Sequence, residues 1–565
     1  MDATSQHAPR PVRFGFLSRR VQLLRFLLVS SGLVRDPVLY STITGSLSRA
    51  GLIYAINQTA QSVGLGWPAA LLTACAIVFI VSIYISRVRA HIMINRIQTA
   101  MRRRMTRMLL RADIDFLLSR DHGQVYSAMT RETEETSGAV INIIEAIEAL
   151  IVVCIAVPYL FWISWSAGLA TLIAIAVGTT GFILLDLPAR GLMVRSTRAM
   201  AEFCNRVDDM LGGWKELRLR DTRRQAVEGE TLRMIDEVAN MRIRAERLYS
   251  GSSVVAQSSM ILLLCFVVML VPLLQGGTTE TMFQVLTVVL LTSGPIELLF
   301  NALPRIARAE ASHAKIMEVE EALQAAQTNR PLELLNHPTS FSSIELRGIT
   351  ARVGAGEEAF ELGPVDLTFR PGETVFICGG NGSGKTTLLS IISGLRWPDG
   401  GEVLLDGAPL TRENVAEFRE LFTGVFSGFH LFDRTFGLSA EEQQELERRI
   451  TELNLSDRVG LHEGRFSSLS LSSGQKRRLA LAVALAEQRP IIILDEFAAD
   501  QDPENRAFFY DVLVPEMAAT GQLVIAVTHD DHQFAKCDRL IKMAAGRIVS
   551  DEVMRPSGKR QTAQV

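Results

Sequence analysis

The chain has 565 residues, of which 48% are hydrophobic and 21% are charged, and its formal net charge is −3. This composition excludes a disordered chain, a collagen-like repeat and a disulfide-stapled scaffold, and the length exceeds that of one ordinary domain. Residues 1–330 carry 34 Lys and Arg against 27 Asp and Glu, whereas residues 331–565 carry 24 against 34. We therefore expect two domains of different kinds. We expect no nucleic-acid partner, because the basic residues lie between apolar runs rather than in one patch.

Six apolar stretches lie in the first part of the chain. Each has the length of about 20 residues with which a helix spans the core of a lipid bilayer. The first stretch is the weakest, since it contains Arg49 and several hydroxyl side chains. We expect a helical transmembrane domain over residues 1–326, with spans near 38–58, 67–87, 143–163, 165–186, 253–274 and 281–301.

Basic residues occur only in alternate segments between these stretches. The loops at 59–66 and 275–280 contain no Lys or Arg, whereas the segments 88–142 and 187–252 contain many Arg. Because basic segments stay on the cytoplasmic side of membranes, we expect both long segments and both termini in the cytoplasm. Helical periodicity continues through much of both segments, which predicts helices that extend well beyond the bilayer. A soluble protein with buried helices would not explain why alternate loops lose every basic residue.

The pattern changes after a polar linker predicted at residues 327–340. Short β-branched runs, such as Ile491–Leu494 and Val524–Thr528, then alternate with helical stretches. This alternation predicts an α/β domain with a mainly parallel sheet. We place the domain at 341–555 and a tail at 556–565.

A phosphate-binding pattern lies near the start of the second domain. The apolar run Val375–Cys378 predicts a strand, and it leads into a glycine-rich loop and then a helical stretch. In such a P-loop, backbone N–H groups curl around phosphates and the helix N-terminus adds its positive dipole end. We expect a nucleotide to be held by Gly379, Gly380, Asn381, Gly382, Ser383, Gly384, Lys385, Thr386 and Thr387.

Four further motifs follow the P-loop. Leu471–Gln475 precedes a basic helix, an apolar strand ends in Asp495 and Glu496, and Asp502 and His529 come after it. With these motifs in this order, the chain resembles the ATP-binding-cassette (ABC) transporter family, in which they are the signature, Walker B, D-loop and H-loop. The resemblance covers nearly the whole chain. It implies an α-helical membrane domain of six transmembrane helices with long cytoplasmic extensions, plus an α/β P-loop ATP-binding-cassette domain.

The resemblance also implies a role for each motif. Lys385 would reach the β- and γ-phosphates of ATP, and Thr386 with Asp495 would hold Mg²⁺. Glu496 would act as the general base that orients the attacking water, and His529 would contact the γ-phosphate. The ATP bound to a second half-transporter would be contacted by the signature, namely Leu471, Ser472, Ser473, Gly474 and Gln475. The basic run that follows the signature is interpreted as a solvated helix face.

Two positions depart from the family pattern. An aromatic residue that stacks on adenine is missing from the stretch Ile349–Val353, so ATP and GTP should be used with similar efficiency, and Phe360 is the one candidate to replace it. The usual Q-loop glutamine is replaced by Ser427. The shorter serine side chain cannot span the same distance to Mg²⁺, which favours a bridging water or weaker coupling.

Several segments resemble one subgroup, the cyclic-peptide exporters, which includes exporters of lasso-peptide microcins, lipopeptides and pyoverdine-type siderophore precursors. These segments are Phe360–Pro364, 379–384, Leu431–Asp433, Asp495–Asp502 and His529–His532. The resemblance implies ATP-driven export of a peptide, or of a peptide-derived siderophore or toxin, across the bacterial inner membrane by a homodimer. The alternatives are a lipid or lipopeptide flippase and, in another class, a non-transporting ATP-dependent regulator of a membrane partner.

Three carboxylates fall within the predicted spans. At 1.5 Å per residue from the outer ends of their helices, Glu145, Glu148 and Glu297 lie about 22 to 27 Å deep. Ionisable groups within spans are costly unless they face a cavity or a partner. We expect Glu148 and Glu297 to line an inward-facing cavity and attract a cationic group of the substrate. The alternative is a structural pair with an Arg of a neighbouring helix.

Overall fold

The computed structural model describes residues 36–61, 66–112, 122–275, 279–326, 338–354 and 359–554. The chain divides into two units, one formed by residues 1–107 and 121–322 and the other by residues 108–120 and 323–565. The N-terminus, most of the predicted linker and the predicted tail lie outside the described residues, so the predictions about them stay predictions.

Long helices make up the described part of the first unit. Their bounds are α1 Pro37–Gln61, α2 Trp67–Leu109, α3 Thr133–Ile163, α4 Trp165–Gly212, α5 Asp221–Gln275 and α6 Thr279–Ala325. A short helix and a π-helical turn, His122–Ser127 and Ala128–Glu132, precede α3, and the short helix Trp214–Leu219 joins α4 to α5. The helices α2, α4, α5 and α6 have 43 to 55 residues. That length corresponds to roughly 65 to 80 Å, twice the core of a bilayer.

Among the described residues, five helices are long and apolar enough to cross a membrane, rather than the six that the sequence predicts. The exception is α1, which forms over the first predicted span but carries polar side chains on its packed face. Thr42 hydrogen-bonds Ser86 of α2 at 2.8 Å, and Ser48 donates to the Cys75 carbonyl, also at 2.8 Å. Polar side chains between packed helices are satisfied by their neighbours and lower hydropathy without excluding a membrane position. The first span therefore stays a prediction.

The apolar core of this unit is shared by five helices. Ile53 of α1, Val152 of α3, Phe182 of α4, Met260 of α5 and Val288 of α6 are all buried in one cluster. The helices α4 and α5 pack side by side along their length. Burial of these side chains against one another, rather than helix propensity, holds the bundle together.

The second unit contains two sheets and one small hairpin. The strands are β1 Ile344–Val353, β2 Phe360–Phe369, β3 Thr374–Gly379, β4 Gly400–Leu405, β5 Ala408–Pro409, β6 Phe422–Val425, β7 Leu461–His462, β8 Arg465–Phe466, β9 Ile491–Asp495, β10 Leu523–Val527, β11 Arg539–Ala544 and β12 Arg547–Val553. The helices are α7 Lys385–Ile392, α8 Val415–Arg419, α9 Ala440–Glu452, α10 Ser473–Ala486, α11 Pro503–Phe508 and α12 Val514–Ala519.

The larger sheet has the order β12-β11-β3-β10-β9-β6 and is parallel except for β12. Its interior strands β9 and β10 are buried at every position, as expected for parallel strands covered on both faces. The carboxyl ends of parallel strands meet at one edge, where ligands bind in open α/β sheets. This edge brings together the loops that follow β3, β6, β9 and β10.

The smaller sheet is antiparallel, with the order β2-β1-β4-β5, and the sequence analysis did not anticipate it. In the pairing of β1 with β2, Val353 lies opposite Phe360. Strand β1 contains no aromatic residue, but Phe360 of β2 lies directly across from its last residue, Val353.

Candidate nucleotide site

The P-loop lies between β3 and α7 as the sequence predicts. Gly384, the residue before Lys385, adopts a left-handed conformation with φ of 98°. A Cβ atom at this position would lie 2.9 Å from Cζ of Phe360. Only glycine fits both the backbone angle and the close approach of the ring.

Lys385 lies across the loop. Its ammonium Nζ donates to the Gly379 carbonyl at 2.9 Å and to the Gly380 carbonyl at 3.1 Å, and the residue is only 6% exposed. These hydrogen bonds hold the charge over the curve of the loop. A strongly charged donor in this place is suited to the phosphate oxygens of a nucleotide.

Asp495 collects three hydrogen bonds at the end of β9. Its Oδ2 accepts from the Thr386 hydroxyl at 3.3 Å, from the Ser427 hydroxyl at 2.7 Å and from the Ser427 backbone N–H at 3.2 Å. The carboxylate and the Thr386 hydroxyl are oxygen ligands of the kind that Mg²⁺ takes, usually one or two from the protein beside phosphates and waters. The residues present therefore fit a magnesium ion carried by the nucleotide.

Ser427 does more than fill the position of the missing glutamine. Both its hydroxyl and its backbone N–H contact the Asp495 carboxylate directly. In this structure, therefore, the loop after β6 reaches the aspartate rather than stopping short of it. The carboxylate is oriented from two sides, by α7 through Thr386 and by this loop through Ser427.

Glu496 and His529 meet at the same edge of the sheet. Nε2 of His529 lies 3.1 Å from Oε1 of Glu496, and both side chains are partly exposed. Glu496 itself has φ of 53° and ψ of 34°, a left-handed conformation that non-glycine residues rarely adopt. A carboxylate held by a second side chain, open to water and beside a P-loop, has the arrangement of a general base with its orienting partner.

The His529 loop is anchored by a buried tyrosine. The hydroxyl groups of Tyr510 and Thr528 are 2.6 Å apart, and the Tyr510 hydroxyl also donates to Asp530 at 3.4 Å. Burial raises the pKa of Tyr510 to about 12, so its hydroxyl stays protonated at physiological pH. Tyr510 is not among the residues predicted from the sequence, because its only signal there is an aromatic residue in an amphipathic stretch.

Arg477 corrects one interpretation of the sequence. The basic run after the signature was interpreted as a solvated helix face, but the Arg477 side chain is only 15% exposed. Its guanidinium donates to the Glu496 carbonyl at 2.5 Å and forms an ion pair with Asp500 at 3.3 Å. The α10 helix is thereby fastened to the loop that carries the candidate base. Lys476 beside it is exposed, as that interpretation requires.

The signature residues lie at the start of α10, and the last three of them belong to its first turn. Ser472 caps the helix and accepts from the Gln475 N–H at 3.3 Å, while the Gln475 side chain accepts from the Ser472 N–H at 3.0 Å. This reciprocal capping box leaves the N–H groups of Ser473 and Gly474 at the positive end of the helix dipole. Such a helix start is a site for an anion such as a phosphate.

The D-loop lies against the signature. A Cβ on Gly474 would come within 2.7 Å of the Asp500 carbonyl, and the Gln501 side chain donates to the Gly474 carbonyl at 3.2 Å. Asp502 caps α11 by accepting from the Asn505 N–H at 2.9 Å, and this hydrogen bond lowers the pKa of the aspartate. In the described structure the predicted D-loop residue thus has a capping role, and Gln501 makes the contact to the signature.

We expect Phe360 to be the residue that stacks on a purine base. Its ring lies so close to Gly384 that a Cβ atom there would come within 2.9 Å of it, and Phe360 pairs opposite Val353, in the stretch where the resemblance implies an aromatic residue. We expect Phe360→Ala to raise the KM for ATP and for GTP alike by about 10-fold, because stacking stabilises any base by roughly 1–3 kcal/mol. Neither nucleotide should be preferred. Steady-state kinetics with both nucleotides measures this.

The control for this prediction is Phe432→Ala, which removes an exposed aromatic ring from another part of the same unit. Its KM values should equal those of the wild type. Unchanged KM values in the Phe360 variant would exclude Phe360 as the stacking residue, and a strong preference for ATP in the wild type would contradict the expected tolerance.

Two of the carboxylates within the predicted spans are paired with Arg. Glu148 is bonded by Arg49 of α1 at 3.3 Å and is largely buried, and Glu145 forms an ion pair with Arg87 of α2. The guanidinium of Arg49 also lies over the ring of Phe79, 5.9 Å from its centroid. In this structure the structural alternative holds for Glu148, because Arg49 already balances the charge of its carboxylate.

Glu297 differs from these two. Its carboxylate accepts from the Gln257 amide of α5 at 2.9 Å, and it forms no ion pair with another described residue. Of the two carboxylates predicted to line an inward-facing cavity, only Glu297 therefore keeps that prediction.

Comparison with known proteins agrees with these motifs. Residues 37–296 match the ABC transporter transmembrane region, and residues 362–499 match the ABC transporter family. SyrD, an ATP-binding protein of Pseudomonas syringae pv. syringae, is 30% identical over 482 residues, which are 82% of this chain and 84% of SyrD. PvdT, a pyoverdine export ATP-binding/permease protein of Pseudomonas syringae pv. tomato, is 35% identical over 230 residues, which are 37% of this chain and only 34% of PvdT.

A solved structure of a bacterial Atm1-family ABC exporter with ATP bound has a TM-score of 0.71 and 17% sequence identity, and the match covers 96% of both chains. At that identity the likeness shows the fold. The fold, the site and the extent of the SyrD match define the class, and this chain belongs to the ABC transporter family. It is a membrane protein in which a helical transmembrane domain is joined to an ATPase domain, as the sequence predicts.

Proposed function

We propose that this chain uses ATP to export a peptide-derived compound, such as a siderophore precursor or a toxin, across the bacterial inner membrane. The observation that carries the proposal is the similarity to PvdT, which is named as a pyoverdine exporter. The match to SyrD covers 82% of this chain and supports the same two-domain architecture. An ordered Glu496–His529 pair further favours turnover over a purely regulatory role.

The transporter works as a homodimer. One chain carries one transmembrane domain and one ATPase domain, and its signature is an exposed helix start suited to a phosphate. In this arrangement, Ser473 and Gly474 of one copy contact the ATP held by Lys385 of the other. Closure then assembles each site from two copies, and catalysis depends on positioning and charge.

Both termini lie in the cytoplasm. The described Arg-rich stretches between spans belong to the long helical extensions. Three Trp side chains are exposed at the opposite helix ends: Trp67, Trp162 and Trp165. Tryptophan is enriched at membrane interfaces, and basic residues stay on the cytoplasmic side. The substrate moves outward from this side.

The residues of the ATPase domain divide the work of hydrolysis. Lys385 and the P-loop N–H groups bind the phosphates, while Thr386 and Asp495 hold Mg²⁺ and Ser427 keeps Asp495 in place. The metal supplies charge neutralisation at the phosphates. Glu496 takes a proton from the attacking water, and His529 holds its carboxylate in line. Release of the products lets the two copies separate.

The test is made in the host bacterium. The chromosomal gene is replaced by the wild-type chain or by Glu496→Gln, and cells and medium are compared by mass spectrometry. We expect a peptide-derived compound to disappear from the medium and accumulate in the cells of the variant. A change confined to the lipids of the outer leaflet would contradict peptide export and favour the flippase alternative. No change in either would contradict transport.

A further inference from the structure

A charged cleft lies where α3 and α6 reach the cytoplasmic side of their predicted spans. Its volume is about 470 Å³, within the range of small-ligand sites. Its wall carries three Arg, namely Arg305 and Arg308 of α6 and Arg131 of the π-helical turn, together with Glu134 and Glu135 at the start of α3. Gly138 and Asn142 line it further along α3.

The five charged side chains of the cleft are exposed, and none forms a hydrogen bond or an ion pair with another described residue. Elsewhere in the unit some charges are paired, as Arg87 is with Glu145 and Lys315 with Glu132. Opposite charges that face one cleft without meeting leave room for a ligand carrying both. A molecule with a carboxylate and an ammonium group could bridge them with charge-assisted hydrogen bonds.

The cleft continues as a polar stripe toward the predicted bilayer. On α6, the residues Glu297, Asn301, Arg305 and Arg308 are spaced by four, four and three positions, which places them on one helix face. Glu297 lies about 12 Å along the helix from Arg305. Ionisable groups within spans face cavities or partners, so this face points to a path that begins in the cleft.

A second charged cleft lies between α4 and α5, and on α4 it lacks such a continuation. It has about 770 Å³ and includes Arg195 and Arg198 of α4. Toward the predicted bilayer this face of α4 continues through Leu192, Pro188 and Leu184. It therefore offers charge without a polar path and serves as a matched control.

We propose that the α3–α6 cleft is the cytoplasmic docking site for an amphoteric peptide, with Arg305 and Arg308 binding its carboxylate and Glu134 and Glu135 its ammonium group. This inference rests on the proposed function and names the chemistry by which the substrate is recognised. Glu297 then receives the ammonium group once the peptide has entered the path.

The test uses the full-length protein immobilised in phosphatidylcholine nanodiscs. The probes are short synthetic peptides of random sequence with free termini, and the same peptides acetylated and amidated at their ends. The wild type should retain the free peptides about 5-fold better, the size expected for exposed charge pairs. The double variant Arg305→Gln with Arg308→Gln should lose this preference, whereas Arg195→Gln with Arg198→Gln should keep it.

Basal ATPase activity reports that each variant is folded, since none of these residues belongs to the nucleotide site. If the wild type retains free and blocked peptides equally, or if the Arg305 and Arg308 variant keeps the preference, the inference is wrong and peptide export still stands. If the wild type retains neither kind of peptide, both the inference and the proposed peptide function are contradicted.

Discussion

Glu496→Gln should bind ATP normally, remain closed in an ATP-bound dimer and hydrolyse ATP at least about 100-fold more slowly than the wild type. Glutamine keeps the size of the side chain and can still hydrogen-bond His529, which lies 3.1 Å from the carboxylate. It cannot accept a proton from water. Phosphate release gives the rate, and gel filtration of the full chain with ATP gives the closed dimer.

The matched control is Lys385→Ala. This variant removes the charge that lies over the P-loop carbonyls, so it should lose nucleotide binding itself and form no closed dimer. The two variants thus separate binding from chemistry. Near-wild-type turnover of Glu496→Gln would remove Glu496 from the role of base.

Arg477→Leu should lower kcat by about 10-fold while the KM for ATP stays close to the wild-type value. The guanidinium holds the Glu496 carbonyl and Asp500, and Glu496 is kept in a left-handed conformation. Such conformations cost of order 1–3 kcal/mol and persist only where the surroundings enforce them. Without Arg477 the backbone of Glu496 can relax and carry its carboxylate away from His529. A tenfold loss of rate corresponds to about 1.4 kcal/mol.

Two further variants test whether Arg477 acts by positioning. Arg477→Lys keeps one charged donor and should recover part of the rate, whereas Lys476→Gln alters the exposed neighbour and should change nothing. All variants should have the same melting temperature. A loss of kcat that comes with a large fall in melting temperature, or an equal loss in the Lys476 variant, would make the role of Arg477 merely structural.

The sequence alone determined the features that are encoded by contiguous residues. The strand, loop and helix of residues 375–392 are adjacent in the chain, so the pattern predicts the P-loop and its lysine together. The capped turn of Ser472–Gln475 is local in the same way. The apolar runs predict helices, because a stretch that fits a bilayer needs no distant partner to be recognised.

Which side chains meet depends on the tertiary structure. Ser427 contacts Asp495 across 68 positions of the chain, and Arg49 meets Glu148 across 99. The sequence of the basic run could not show that the Arg477 side chain turns inward while that of Lys476 stays in solvent. Such pairs depend on the order of strands in the sheet and on the packing of helices. Local periodicity fixes the face on which a side chain lies, but the element packed against that face is set by the whole fold.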